Sequence, residues 1–254
     1  MNKPIDISDF ELKPLPNITL NCKEHGDYTS TQKKMRDTIF TQKCPKCLKT
    51  TEKKAEKIIQ ESETKANKDR KEAFFRESGL PKRYWDIVLE DIIPYPEQKP
   101  AYAACLKFSA KFDEMSAKGQ CLIFCGGIGT GKTMLISALI QSIGFGCYIR
   151  AVDISRNVRG AYSSNDSELS VIDQMARQPL LVIDEIGVQT NTKAEALLIT
   201  DLIDRRYGEM LPTILLSNLD KEGIKQSLGE RAFSRIMQNG ALIPITGKDN
   251  RGGG

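Results

Sequence analysis

The run Gly126-Gly127-Ile128-Gly129-Thr130-Gly131-Lys132-Thr133 constrains this chain more than any other feature. It follows an apolar stretch, Gln120 to Cys125, and opens into residues with helical patterning, so the glycines occupy a strand-to-helix turn. Such a turn lets successive backbone N–H groups wrap a phosphate, and the helix that starts there presents its positive end to the same anion. Lys132 is then placed to reach the β and γ phosphates of a nucleotide, and the Thr133 hydroxyl to bind magnesium. A chain built round this turn needs a buried strand before it and a helix after it, which is the beginning of an α/β domain.

The C-terminal part keeps that alternation. Short apolar segments at Gln120–Cys125, Cys147–Val152, Leu180–Asp184, Thr213–Ser217 and Ala241–Ile245 read as strands of a parallel sheet. Helical stretches fill the intervals at Lys132–Ile143, Asp153–Tyr162, Asp166–Arg177, Thr192–Met210 and Gly229–Gln238, and another precedes them at Ala101–Lys118, with Leu106, Phe108 and Phe112 on its apolar face. The segment Leu180-Leu181-Val182-Ile183-Asp184-Glu185 ends in two carboxylates, 52 residues after Lys132. Such a pair divides the work: Asp184 holds magnesium through its water shell, and Glu185 polarises the attacking water, since hydrolysis needs a base in line with the γ-phosphate. Two adjacent acids argue against a small-molecule kinase, whose acceptor is not water.

Three cysteines and the only histidine of the chain form a second cluster. Cys22-Lys23-Glu24-His25 and Cys44-Pro45-Lys46-Cys47 are two ligand pairs 18 residues apart, a spacing suited to a tetrahedral zinc site with all four positions filled and therefore structural. A small loop-rich segment cannot hold itself together without such a staple. The other four cysteines, Cys105, Cys121, Cys125 and Cys147, lie in apolar surroundings and read as core thiols in a reducing compartment.

Around these sites the chain divides into an arm and zinc module (1–48), a charged helical linker (49–79) and the α/β domain (80–254). Residues 1–21 carry Pro4, Pro14 and Pro16 without periodicity and read as a flexible or extended arm. The linker mixes nine Lys/Arg with seven Asp/Glu and no proline, as expected of an exposed helix supported by side-chain pairs, and Gly79 and Pro81 end it. No apolar run approaches the roughly 20 residues a membrane span needs. The first twenty residues, with Lys3, Asp6, Asp9, Glu11 and Lys13, have no signal-peptide core. The expectation is a cytoplasmic protein without a membrane partner. A formal charge of +4 is compatible with nucleic-acid contact but forms no clustered basic footprint.

Three stretches together carry a family resemblance: Ile183-Asp184-Glu185-Ile186-Gly187, Leu215-Leu216-Ser217-Asn218, and Leu228-Gly229-Glu230-Arg231-Ala232-Phe233-Ser234-Arg235. From about Leu80 to Arg251 the chain resembles AAA+ ATPases of the DnaC helicase-loader family. The resemblance implies a P-loop AAA+ core that binds ATP and Mg2+, hydrolyses ATP slowly and in an assembly-dependent way, and self-associates through its ATPase interfaces. It implies that Asn218 orients the lytic water, that Arg235 reaches a neighbouring subunit's γ-phosphate with Arg231 as the other candidate, and that Arg251 is a second sensor within the same subunit. The residues alone also allow Arg231 and Arg235 to lie on a solvated helix face, and the Gly-rich tail around Arg251 is unlike an ordered lid.

Phage and prophage members of that family carry a similar cysteine-rich N-terminal module, and the family's N-terminal region grips the replicative helicase, of DnaB type. Its loader and initiator branch lines a channel for single-stranded DNA with an extra helix after the second strand. Arg156, Arg159 and Tyr162 fall there, where they would offer phosphate contacts and a stacking ring, or else form the wet side of an ordinary amphipathic helix. The leading expectation is an ATP-dependent loader that delivers a hexameric helicase onto single-stranded DNA. The alternatives are a transposition helper that recruits a transposase and a nucleotide-switch adaptor without useful turnover, since the core is common to all three.

Overall fold

The computed structural model describes residues 12–35, 37–161, 168–187 and 193–247. It divides into two compact units, one up to Arg70 and one from Lys71 onward. The dividing point falls inside a single long helix, α1 (Pro45–Ser78).

In the first unit, β1 (Lys13–Cys22), β2 (Gly26–Met35) and β3 (Thr38–Thr41) form an antiparallel sheet in the order β1-β2-β3. The part of the expected flexible or extended arm from Lys13 to Asn21 is thus extended, as a strand paired with β2. Prolines are tolerated on an edge strand, where the missing N–H is not needed for the ladder. The register shift between Leu15 and Ile18 absorbs Pro16. The β1–β2 turn closes at the pair Cys22 and Gly26, and Gly26 takes a φ of 74°, the left-handed conformation that ends a three-residue hairpin loop at no steric cost. Among the described residues 12–70 only Ser30 and Cys44 are buried, so this sheet has no apolar core of its own.

The second unit is a five-stranded sheet in the order β5-β6-β7-β4-β8, with every recorded pairing parallel. Its strands are β4 (Cys121–Cys125), β5 (Cys147–Arg150), β6 (Leu181–Ile186), β7 (Thr213–Ser217) and β8 (Gly240–Pro244). The central strand β4 is buried along its whole length, as a parallel strand covered on both faces must be. Its side chains alternate between two cores. Cys121, Ile123 and Cys125 join the cluster under α5 (Ala151–Ala161), α6 (Glu168–Ala176), α7 (Lys193–Gly208), α8 (Lys221–Leu228) and α9 (Glu230–Gln238). Leu122 and Phe124 join the cluster formed with α2 (Lys99–Ala110), α3 (Phe112–Ala117), α4 (Lys132–Ile143) and the last turn of α1.

Three details differ from the sequence expectation. The helix placed at Ala101–Lys118 breaks at Lys111, giving α2 and α3, and its buried stripe is Ala101, Cys105 and Phe108, spaced i, i+4, i+7. Leu106, one residue round from that stripe, is on the exposed side. Helix α8 was not anticipated; Asp220 caps it by accepting a hydrogen bond from the Gly223 amide at 2.9 Å. Strand β5 yields to helix at Ala151, before Val152.

Candidate nucleotide site and metal cluster

Parallel strands place their C-terminal ends, and the loops after them, along one edge of the sheet, where α/β folds bind ligands. The phosphate-loop residues follow β4 at that edge. Gly126 has a φ of 148°, and a Cβ there would lie 2.0 Å from the Ile245 carbonyl, so only glycine fits between β4 and β8. Gly131, also left-handed, leads directly into α4. Lys132 is buried and donates from Nζ to the carbonyls of Gly126 at 2.7 Å and Gly127 at 2.8 Å. The lysine thus folds over the inside of its own loop.

A brace that the sequence did not advertise supports the loop from behind. Gln98 is buried, donates from Nε2 to the Thr130 carbonyl at 2.8 Å, and accepts from the Tyr95 amide at 3.1 Å. Nothing about a single glutamine in a proline-rich approach distinguishes it from a surface residue.

The acidic pair sits on β6, two strands from β4, with β7 between them. The β6–β7 register shifts between Ile183 and Ile186, and Glu185 takes a φ of 61°, a sparsely populated conformation for a side chain of its size. The bulge turns Asp184 and Glu185 out of simple alternation. Ser217 Oγ holds the bulged strand by donating to the Ile186 carbonyl at 2.6 Å. Asp184 Oδ2 accepts from Thr133 Oγ1 at 2.8 Å and from Tyr148 Oη at 2.6 Å, while Oδ1 accepts from the Glu185 amide at 2.6 Å. The hydroxyl and carboxylate expected to share a magnesium ion therefore meet directly, 51 positions apart in sequence. Asn218 immediately follows β7, whose last carbonyl, on Ser217, accepts the Gly126 amide at 3.2 Å. Lys132, Thr133, Asp184, Glu185 and Asn218 are thus set along one edge by three adjacent strands.

Arg231 and Arg235 stand elsewhere. On α9 both pair with Asp204 of α7, Arg231 at 3.0 Å and Arg235 through the other carboxylate oxygen, and Arg235 also lies over the Tyr207 ring at 5.3 Å. Arg235 lines a cleft of about 360 Å³ with Gly119, Cys121, Thr213 and Asn239, residues at the N-terminal ends of β4, β7 and β8. Arg251 and Tyr162 lie outside the described residues. Arg156 and Arg159 are both mostly exposed; Arg156 pairs with Asp153 at 3.0 Å, and Arg159 donates to the Ser155 carbonyl at 3.2 Å and approaches the buried Glu195 at 3.9 Å.

In the first unit Cys22, His25, Cys44 and Cys47 bring their ligand atoms within 4.8 Å of one another. Cys22 Sγ lies 3.5 Å from Cys47 Sγ, and His25 Nδ1 lies 3.6, 3.8 and 3.3 Å from the sulfurs of Cys22, Cys44 and Cys47. A tetrahedral zinc with ordinary bond lengths separates its ligand atoms by about 3.5 to 3.8 Å, so the donor set fits a metal ion of that kind. Two local structures create it: the hairpin turn carries Cys22 and His25, and the first turn of α1, with Pro45 leading, carries Cys44 and Cys47 at a helix N-terminus that favours thiolates. The Glu24 backbone amide, then His25, hold the Cys22 thiol down to about 6, while the neighbouring Cys22 sulfur pushes Cys47 up to about 12.

The glycine-wrapped lysine, the hydroxyl facing a bulged acidic strand and the parallel sheet beneath them define an AAA+ ATPase domain. The family described as IstB-like ATP binding protein matches residues 41–249. A replicative helicase loader DnaC from Buchnera aphidicola subsp. Schizaphis graminum is 34% identical over 172 residues, 65% of this chain and 69% of the relative. The protein of the same name from Escherichia coli K12 is 31% identical over 182 residues, covering 69% and 73%. Among solved structures, the crystal structure of the DnaC helicase loader superposes with a TM-score of 0.59 at 25% identity, over 65% of this chain and 99% of that one. The replication initiator DnaA bound to AMPPCP and single-stranded DNA shares the fold, with a TM-score of 0.56 at 18% identity over 66% of this chain and 51% of that one. This chain belongs to the IstB/DnaC-like family of ATP-binding AAA+ proteins.

Proposed function

We propose that this protein is an ATP-driven loader that delivers a replicative hexameric helicase, of DnaB type, onto single-stranded DNA. The observation that carries this reading is the likeness to helicase loaders across the whole nucleotide core, in a chain whose own lysine, hydroxyl and acidic pair converge as ATP chemistry requires.

In this reading the amides of Gly127 to Thr133 and the Lys132 ammonium bind the triphosphate, the lysine exchanging the Gly126 and Gly127 carbonyls for phosphate oxygens. Thr133 and Asp184 would hold Mg2+, which when bound neutralises charge on the phosphates. Glu185 takes the proton of the attacking water, and Asn218 orients that water from the end of β7. Arg235 serves a neighbour. Cys22, His25, Cys44 and Cys47 would hold Zn2+ with no open position, fixing the surface through which the N-terminal region grips the helicase. Arg156 and Arg159 are both exposed and both bonded within α5, and either would offer its guanidinium to a DNA phosphate.

The test is transfer of the helicase to a single-stranded DNA circle coated with binding protein. Wild type with ATP should load it. Lys132→Ala should bind nucleotide about 100-fold more weakly, because it removes charge-assisted bonds to two phosphates, and should not load. Glu185→Gln should keep nucleotide binding and lose hydrolysis. A pull-down that captures a transposase and no helicase would overturn the loader reading in favour of a transposition helper. Hydrolysis in Glu185→Gln equal to wild type would remove the assigned base.

A further inference from the structure

The hydroxyl of Tyr148 takes no part in the chemistry described so far, yet it makes one of the two shortest contacts to the acidic pair. Tyr148 is the second residue of β5, the strand beside β6, and is buried. Its Oη donates to Asp184 Oδ2 at 2.6 Å. The same oxygen accepts Thr133 Oγ1 at 2.8 Å, and the partner oxygen is occupied by the Glu185 amide. An ionised carboxylate can only accept, so the phenol O–H of Tyr148 is the donor in this contact.

We infer that Tyr148 is a positioning residue that keeps Asp184 Oδ2 in an outer-sphere role toward Mg2+, a deeper statement of the site reading above and dependent on it. A carboxylate oxygen has roughly two lone-pair directions for strong hydrogen bonds. At Oδ2 one takes the Thr133 hydroxyl and the other takes Tyr148, so the oxygen beside Thr133 has none left for direct ligation, and Oδ1, which accepts the Glu185 amide, keeps one that a metal-bound water can use. Thr133 can keep its proton on Asp184 and still offer an oxygen lone pair to the ion, so the threonine becomes the direct protein ligand and the aspartate fixes its rotor. Outer-shell hydrogen bonds of this kind orient ligands, and their loss typically costs about 10- to 100-fold in metal affinity. The β5 strand would thereby contribute to the metal site through the Tyr148 hydrogen bond alone.

The test compares wild type with Tyr148→Phe, which keeps the ring that packs in the core and deletes the hydroxyl. Binding of a fluorescent, non-hydrolysable ATP analogue is titrated with Mg2+, and with Mn2+ in parallel; thermal melting of the nucleotide-free protein is recorded beside it. The expected result is a Mg2+ midpoint raised about 10-fold or more, with metal-free analogue binding unchanged, because Lys132 and the loop amides are untouched. An unchanged Mg2+ midpoint beside a Mg2+-responsive wild type would overturn the inference alone. Loss of metal-free analogue binding would overturn it too, since Tyr148 would then be supporting the fold or the loop. Wild-type binding that ignores Mg2+ would instead overturn the magnesium reading on which it rests.

Discussion

A buried arginine shows how a residue that looks ordinary in sequence can hold the domain together. Arg206, near the end of α7, has no exposed surface. It donates to the Ala176 carbonyl at 2.8 Å and the Gln178 carbonyl at 2.7 Å after α6, and to the Pro212 carbonyl at 2.6 Å and Thr213 Oγ1 at 2.9 Å at the start of β7. Burial lowers its pKa to about 10, which still leaves the guanidinium charged at neutral pH. Its planar fork bonds carbonyls at the end of α6 and before β7 together, a task an ammonium cannot copy. Arg206→Met should strand those carbonyls, each at about 1 to 3 kcal/mol, and cost about 3 to 5 kcal/mol together, a fall of roughly 6 to 20 °C in melting temperature for a domain of this size. Differential scanning calorimetry checks it, and a loss below 1 kcal/mol would show that water replaces the arginine. At this scale the sequence is legible where chemistry demands a fixed order of residue types, as in Lys132-Thr133 or Asp184-Glu185. Arg206, Gln98 and Tyr148 carry no such signature, because their partners are backbone atoms or side chains brought near only by the sheet order.

At the scale of elements, legibility follows the hydrophobic pattern. All five strands of the second unit and most of its helices are visible as apolar segments of the right length, since each must bury a face. The amphipathic α8 is short and depends on its Asp220 cap, and β1 depends on pairing with β2 in place of a core, so both escape a reading based on burial. The first unit makes the point energetically. With only Ser30 and Cys44 buried among its described residues up to Arg70, its sheet has little apolar burial to oppose chain entropy, and the four-ligand cluster joins the hairpin to α1. Purified under reducing conditions, the protein should carry about one zinc per chain. Cys44→Ser should release it and raise proteolysis between residues 12 and 44, while nucleotide binding and the main thermal transition of the second unit stay as in wild type. Metal analysis together with limited proteolysis reads both effects, and a metal-free native protein with a protease-resistant hairpin would refute the staple.

The whole molecule poses the question of how hydrolysis is switched on, and the polarity of the sheet supplies an answer. Lys132, Asp184 and Asn218 follow or end the strands at their C-terminal edge, whereas Arg235 shares its cleft with Gly119, Cys121 and Thr213 at the N-terminal edge. Even the five residues of β4 separate those edges by about 13 Å, so Arg235 stands away from the phosphates of its own subunit. It is held there by Asp204 and the Tyr207 ring. With the proposed role at a neighbour's nucleotide, the isolated chain should bind ATP and hydrolyse it slowly, because a finger of this type is worth on the order of 10³ to 10⁵ in rate. Arg235→Ala should leave nucleotide affinity close to wild type and flatten the rise of specific activity with protein concentration, or with helicase and single-stranded DNA. Mixing Arg235→Ala with Glu185→Gln is the sharper measurement, since one subunit lacks only the finger and the other only the base. At an interface where the Glu185→Gln subunit donates its arginine to the intact acidic pair of the Arg235→Ala subunit, activity absent from either variant alone should return. Co-assembly without recovery would show that Arg235 does not act in trans, and Arg231, bound to the same Asp204 but far more exposed, would take its place.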